Sequence, residues 1–135
     1  MHSISIKDKS FKNFKKIGEY INPDSPPLYR EFIGRNKSKI FPLVYLFVVE
    51  GCVKYIGESR RGYSRPLSYH SNSVMKTQQK KIRQLTKKGL KVEVYGKEIK
   101  SRIIKINGCS IDCYLAQDYE KHLINKFNPE WNGRK

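Results

Sequence analysis

Apolar and polar positions along the chain form runs that predict a central hairpin. Residues 42–49 are rich in β-branched and aromatic side chains, and residues 53–56 form a second short run after Glu50 and Gly51. Uninterrupted apolar runs of this length are typical of buried strands, and a two-residue connection with glycine is typical of a tight turn. The pattern therefore predicts two antiparallel strands in the middle of the fold.

A first amphipathic helix is predicted downstream of this hairpin. Ser73 is a suitable N-cap, Ile82 and Leu85 fall on one side, and Gly89 is a suitable end. The other side is basic, and the side chains that form it are Lys76, Lys80, Lys81, Arg83 and Lys87.

A second helix is predicted between Asp112, a plausible N-cap, and Pro129, which cannot continue it. Its apolar residues recur with helical spacing, but Glu120 lies in the same stripe as Ala116 and Leu123. A buried carboxylate without a partner is strongly disfavoured or stays protonated. We therefore expect a cation beside Glu120: an arginine, a lysine or a metal ion. The pattern alone favours the structural ion pair.

The remaining apolar segments predict further strands. Residues 92–94 and 103–106 have strand composition, and Asn107-Gly108 is a typical type I′ turn to the segment that follows. Strands and helices mixed in this way predict a single domain of the α+β class.

The charge of the chain points to a polyanionic partner. The 135 residues leave room for one hydrophobic core, and 28 Lys and Arg against 12 Asp and Glu give a net charge of +16. Like charges repel, so this excess opposes folding and is typical of proteins that bind nucleic acid or an anionic membrane. Residues 58–91 hold ten Lys and Arg and one acidic residue, Glu58, so over half of the excess lies there.

A membrane partner is disfavoured by the same sequence. No apolar run approaches the roughly 18 residues of a spanning helix, and the N-terminus has no apolar signal core. The three cysteines are an odd number that cannot all pair within one chain. We expect a cytoplasmic protein with no membrane partner.

The N-terminal segment is interpreted as an arm. Residues 22–27 are a breaker cluster rich in proline, and one helix is expected near residues 10–20. We assign residues 1–40 to an arm that serves oligomerisation or DNA contact, and residues 41–135 to the functional domain.

Two short motifs on the predicted hairpin carry a resemblance to a known family. Leu43-Val44-Tyr45 and Tyr55-Ile56-Gly57, whose tyrosines are separated by nine residues, resemble the two motifs that define the GIY-YIG endonucleases. The second motif is intact, whereas the first keeps only its tyrosine. Arg65 and Tyr69 stand where that family has an arginine and a tyrosine or histidine.

The resemblance extends to the end of the chain. Glu120 resembles the metal-binding glutamate of the family, and Asn132, twelve residues later, resembles the asparagine of its closing motif. The similarity spans residues 41–132, and within the family the chain looks most like the stand-alone endonucleases of T-even phages.

What the resemblance implies is a fold and an activity. The fold is a central antiparallel three-stranded sheet flanked by helices. The activity is a DNA endonuclease that hydrolyses phosphodiester bonds with one divalent cation, Mg²⁺ or Mn²⁺, on Glu120. Arg65 would stabilise charge on the transition state, because its fork binds two phosphate oxygens and does not deprotonate.

The group that activates the water is left open. We favour Tyr45 as the base and Tyr55 as the residue that orients the water, although a phenol near pKa 10 needs a positive neighbour for this role. Tyr69 or His70 could share the task, and Asn132 would hydrogen-bond the hairpin or a catalytic group.

The expected partner is double-stranded DNA. Phosphate contacts are expected from the basic side of the first helix, together with Arg60 and Arg61. One active site cuts one strand, so a homodimer or homotetramer is expected for a double-strand cut. A phage or restriction role in a bacterium or a phage-infected cell fits this activity. The alternative is a nucleic-acid-binding module without catalysis, which explains the charge but not Glu120.

Overall fold

The protein has an α+β fold built on one antiparallel sheet. The computed structural model describes residues 3–21, 28–31, 42–60 and 76–133. The strands are β1 (Lys15–Ile21), β2 (Leu28–Glu31), β3 (Leu43–Val49), β4 (Cys52–Ser59), β5 (Val92–Glu98), β6 (Arg102–Ile106) and β7 (Cys109–Cys113). The helices are α1 (Lys76–Lys87) and α2 (Leu115–Phe127), and short 3-10 turns lie at Lys9–Phe11 and Glu130–Asn132.

The main sheet has five strands in the order β2-β1-β5-β3-β4, with every neighbouring pair antiparallel. The expectation of three strands is therefore wrong in number. Strands β3 and β4 are the predicted hairpin, β5 contains the predicted strand at 92–94, and β1 and β2 extend the sheet on the far side of β5.

The helix expected near residues 10–20 is also wrong, because strand β1 occupies most of that range. Ile17 and Tyr20 are buried there against other strands, and Gly18 disfavours a helix. The pairing that forms β1 is with β5, more than 70 residues later in the chain. Strands β1 and β2 of the arm thus belong to the sheet, whereas the role of the arm in oligomerisation or DNA contact stays a prediction. Residues 22–27 and 32–41 lie outside the described residues.

Strand β3 is buried along its whole length, because both faces of the sheet are covered. On one face Leu43, Tyr45 and Phe47 pack in a cluster that α1 and Trp131 help to cover. On the other face Val44 packs in a cluster that contains residues of α2 and of the segment before β1. This double burial explains why the strand lacks the polar alternation of a half-exposed strand.

A tight turn and a bulge shape the β3–β4 hairpin. Glu50 and Gly51 connect the strands with φ angles of 50° and 80°, as a type I′ turn requires. The pairing shifts between Phe47 and Val48, so that Lys54 has no opposite residue. The bulge places Tyr55 on the same face as Phe47.

Both helices end as the sequence predicted, but α2 does not begin as expected. Helix α1 is followed by Gly89 at φ 88°, and α2 is followed by Asn128 at φ 49°. Asp112 lies in β7 and is not a cap, since the N-cap of α2 is Tyr114. Among the described residues, neither helix is long and apolar enough to span a bilayer.

Strands β6 and β7 form a separate two-stranded ribbon. Asn107 and Gly108 have φ angles of 51° and 79°, which confirms the predicted type I′ turn. Ile103 and Ile106 on this ribbon are largely exposed. The turn residues and the strand composition therefore predicted this ribbon, although two of its isoleucines are not buried in the core.

The sheet contains a buried carboxylate that the sequence analysis did not single out. Glu19 on β1 is 1% exposed, and its Oε1 lies 3.1 Å from Lys16 Nζ and 3.7 Å from Lys91 Nζ. Partial burial alone would lower the pKa of Lys16, but its hydrogen bonds to Glu93 and Glu19 raise that pKa. Some of the 28 Lys and Arg side chains thus pair with carboxylates of the fold.

We expect substitution of Leu46 and of Ile103 by alanine to have very different effects on stability. Leu46 is fully buried and Ile103 is 70% exposed. Leu46→Ala should lower the free energy of unfolding by about 2–5 kcal/mol, whereas Ile103→Ala should change it by at most about 0.5 kcal/mol. Urea unfolding measures both, and equal losses would contradict this assignment of core and surface.

Candidate active site

Tyr45 and Tyr55, the two tyrosines of the predicted motifs, lie side by side on one face of the β3–β4 hairpin. Tyr45 is opposite Gly57 and Tyr55 is opposite Phe47 in the strand pairing. The ring centroids of the two tyrosines are 6.1 Å apart with an interplanar angle of 45°. The structure therefore brings together the two phenols that the sequence proposed for the water.

Gly57 makes room for both rings. A Cβ atom at this position would lie 2.7 Å from Cζ and 2.8 Å from the hydroxyl of Tyr45, and 2.9 Å from Cε2 of Tyr55. The backbone φ at Gly57 is not positive, so conformation does not require the glycine. The glycine is required because a Cβ atom here would come closer to the two rings than real Cβ atoms come to their neighbours.

Asn132 closes the outer edge of the hairpin. Its Nδ2 donates to the carbonyl oxygen of Ile56 at 2.8 Å, and its Oδ1 accepts from the amide of Ile56 at 2.9 Å. The side-chain amide thus makes the two backbone hydrogen bonds that a neighbouring strand would make with Ile56. Among the described residues, β4 is an edge strand of the sheet. The predicted hydrogen bond from Asn132 to the hairpin is present.

Glu120 lies on α2, the helix whose apolar residues pack on the opposite face of the sheet from Tyr45. Its side chain is half-buried and not fully buried as the apolar stripe suggested. Its negative charge contributes to a raised pKa of Tyr114, so the carboxylate lies near that phenol. In the part of the chain that the structure describes, β4 is an edge strand of the sheet, and α2 contacts it.

Three side chains near Glu120 form a cluster that sequence reasoning missed. The hydroxyl of Tyr114 donates to Oε1 of Glu58 at 2.5 Å, and the guanidinium carbon of Arg60 lies 4.0 Å from the centroid of the Tyr114 ring. We call Glu58, Arg60 and Tyr114 the Tyr114 cluster. It joins the end of β4 to the start of α2. The one available signal was the acidic Glu58 directly after the Tyr55-Ile56-Gly57 motif.

The environment of Tyr114 keeps its phenol neutral. Partial burial, followed by the hydrogen bond to Glu58 and its charge, raises the pKa of Tyr114 well above its usual value. Arg60 acts in the opposite direction and Glu120 adds to the rise. Tyr114 is therefore a hydrogen-bond donor and not a base at neutral pH.

The basic side of α1 is only partly free of other contacts. Lys80 and Lys87 are exposed, whereas Lys81 and Arg83 are half-buried. The ammonium of Lys81 lies 5.8 Å from the centroid of the Trp131 ring. Lys76 begins the helix, but its side chain is outside the described part. Of the predicted phosphate contacts on this helix, Lys80 and Lys87 are the most accessible.

Several predicted site residues cannot be located in this site. Arg61, Arg65, Tyr69 and His70 lie outside the described residues. Arg60, at the end of β4, is exposed and belongs to the Tyr114 cluster.

The residues near Glu120 fit a weakly held hard cation better than a closed metal site. Within the described ranges, no three or more His, Cys, Asp or Glu side chains are grouped to hold a metal. A half-buried carboxylate supplies a hard oxygen ligand, and Mg²⁺ usually keeps several waters and takes only one or two protein carboxylates. Glu120 therefore fits a cation that completes its coordination with phosphate oxygens and water.

The fold of this chain is similar to the folds of two solved structures. The chain is similar to a mutant form of EndoII of bacteriophage T4, with a TM-score of 0.72 and 21% identity, over 89% of this chain and 92% of that one. It is also similar to the restriction endonuclease HPY188I in complex with product DNA, with a TM-score of 0.58 and 21% identity, over 98% and 84% of the two chains. No protein-family model and no curated protein matches the chain. The likeness is one of fold.

Gly57→Ala should destabilise the protein more than Gly96→Ala, although both glycines lie opposite Tyr45 in the two strands that flank β3. A Cβ at Gly96 would lie 3.1 Å from the terminal carbons of Ile17 and Leu43, which can turn away, whereas at Gly57 it would meet two aromatic rings. We expect a loss of about 1–3 kcal/mol for Gly57→Ala and a clearly smaller change for Gly96→Ala, measured by urea unfolding. A Gly57→Ala protein as stable as the wild type would contradict the close approach.

Proposed function

We propose that this protein is a DNA endonuclease of the GIY-YIG type that hydrolyses phosphodiester bonds with one divalent cation. The observation that supports this most is the arrangement on the β3–β4 hairpin. Tyr45 and Tyr55 pack against Gly57, and Asn132 hydrogen-bonds the same strand at Ile56. These are the positions on which the resemblance rests. The two similar structures, an endonuclease and a restriction enzyme with its product DNA, agree with this proposal.

Glu120 is the residue that would hold the cation, Mg²⁺ or Mn²⁺. Such a cation, when bound, supplies charge neutralisation at the phosphate and the leaving oxygen. Glu120 lies near the middle of α2, and its charge acts on the phenol of Tyr114, which hydrogen-bonds Glu58 of β4. Glu120 would hold the positive charge of the cation at a defined place beside the hairpin.

Tyr45 and Tyr55 would handle the attacking water. Both rings lie on one face of the hairpin, but Tyr45 is fully buried and Tyr55 is 9% exposed. We keep Tyr45 as the base and Tyr55 as the orienting residue, with a positive neighbour needed to lower the pKa of the base. Arg65 is the positive group that the resemblance offers, and Tyr69 and His70 remain the alternatives for the water.

The substrate would be double-stranded DNA. Lys80 and Lys87 on α1, together with Arg60, present exposed positive charge to phosphates, and Arg61 follows directly in the sequence. Contacts of this kind supply affinity that depends on salt and carry little sequence information. A dimer or tetramer would allow both strands to be cut, in a phage or restriction setting.

A nucleic-acid-binding module without catalysis is the second candidate. The net charge of +16 supports it equally well. It gives no reason for the two tyrosines to be packed on a glycine at the sheet edge, or for a half-buried carboxylate on α2.

Plasmid cleavage separates the two candidates. We expect the wild type to nick or linearise supercoiled plasmid with Mg²⁺ or Mn²⁺ and to lose this activity with a chelator. Glu120→Ala should lower the cleavage rate by about 10²–10³-fold and still bind DNA in a gel-shift assay.

Asp118→Ala is the matched control, because Asp118 is an exposed carboxylate on the same helix. Its rate should stay within about threefold of the wild type, since exposed substitutions have small effects. Equal cleavage by Glu120→Ala and the wild type would overturn the metal assignment. Binding by the wild type without cleavage under either metal would favour the binding module.

A further inference from the structure

Arg60 is the exposed member of the Tyr114 cluster. It follows β4 directly, and its guanidinium carbon lies over the Tyr114 ring, 4.0 Å from the ring centroid. The Arg60 side chain is otherwise exposed. Stacking uses the flat face of a guanidinium and leaves the N–H groups in its plane available, and these form the fork that binds two oxygens of a phosphate.

The ring beneath Arg60 is itself held in place. The Tyr114 hydroxyl donates to Glu58 at 2.5 Å, which ties the ring to β4, and Tyr114 is the N-cap residue of α2. A long arginine side chain normally loses rotamer freedom when it binds, and this loss weakens binding. A platform that restricts Arg60 before DNA arrives reduces that loss.

We infer that Tyr114 is a positioning residue that holds Arg60 ready to bind a DNA phosphate close to the Glu120 carboxylate. This inference rests on the proposed function and adds a specific role for a residue that no motif identified. Glu58 serves the arrangement by anchoring the phenol. Arg60 contributes affinity at the end of the hairpin, next to the proposed cation.

A double-mutant cycle tests this inference. The dissociation constant for a short fluorescent DNA duplex would be measured by anisotropy at several salt concentrations, with chelator present so that no cleavage occurs. Arg60→Gln should raise the dissociation constant about tenfold and lower the slope of the salt dependence by about 1. Tyr114→Leu should raise it about threefold in the wild-type background and leave it unchanged in the Arg60→Gln background.

Tyr114→Phe and Arg60→Lys are the conservative variants. Tyr114→Phe keeps the aromatic platform but loses the hydroxyl that Glu58 anchors, so its dissociation constant should lie between those of the wild type and Tyr114→Leu. Arg60→Lys keeps the charge but loses the flat, forked group, and its dissociation constant should move most of the way to that of Arg60→Gln. This variant leaves Tyr114 untouched and so decides the question even if Tyr114→Leu does not fold.

Lys105→Gln is the control for loss of one charge, because Lys105 is exposed on β6 and has no part in the proposed DNA contacts. Equal effects of Tyr114→Leu with and without Arg60 would overturn the inference, and so would wild-type binding by Arg60→Lys. If the wild type cleaves plasmid but Arg60→Gln binds DNA normally, the inference fails and the proposed function stands. If the wild type neither binds nor cleaves DNA, the proposed function fails as well.

Discussion

The absence of a side chain at Gly57 is the constraint on which the candidate site depends. Two aromatic rings, those of Tyr45 and Tyr55, occupy the space that a Cβ would take. They reach it because β3 and β4 pair with Tyr45 opposite Gly57, and because a bulge at Lys54 turns Tyr55 to the same face. Asn132 then hydrogen-bonds the outer edge of β4 and fixes the strand from the other side. The tight turn, the bulge at Lys54 and the hydrogen bonds of Asn132 together position the two phenols.

The sequence predicted those elements whose conformation depends on residues close together in the chain. The hairpin, both helix ends and the Asn107-Gly108 turn follow from residue types with strong backbone preferences. Strand β1 was missed because it depends on pairing with a strand far along the chain. Asp112 was taken for a cap because nothing local distinguishes a capping Asp from one in a short strand. In the candidate site, the motif spacing predicted the neighbouring tyrosines, whereas the contact of Tyr114 with Glu58 joins residues 56 positions apart.

The few carboxylates of this basic chain have separate tasks. Glu19 is buried against two lysines and stabilises the sheet, and Glu58 anchors the phenol of Tyr114. Glu120 is half-buried on the helix that begins beside that phenol. The positive charge is divided in the same way, since part of it neutralises the fold and part is exposed at Lys80 and Arg60. The net charge of +16 already subtracts every carboxylate, so it is the charge that remains for a polyanionic partner after these internal pairs are formed.

The most direct test of the Glu120 site is a crystal structure of the protein with Mn²⁺ and a short DNA duplex, with the metal located by its anomalous scattering. We predict a single strong peak about 2.1 Å from a carboxylate oxygen of Glu120, in contact with a DNA phosphate and on the side of the hairpin where Arg60 and Tyr114 lie. A Glu120 carboxylate without metal, while Mn²⁺ occupies another acidic group such as Glu93 or lies away from the DNA, would contradict it.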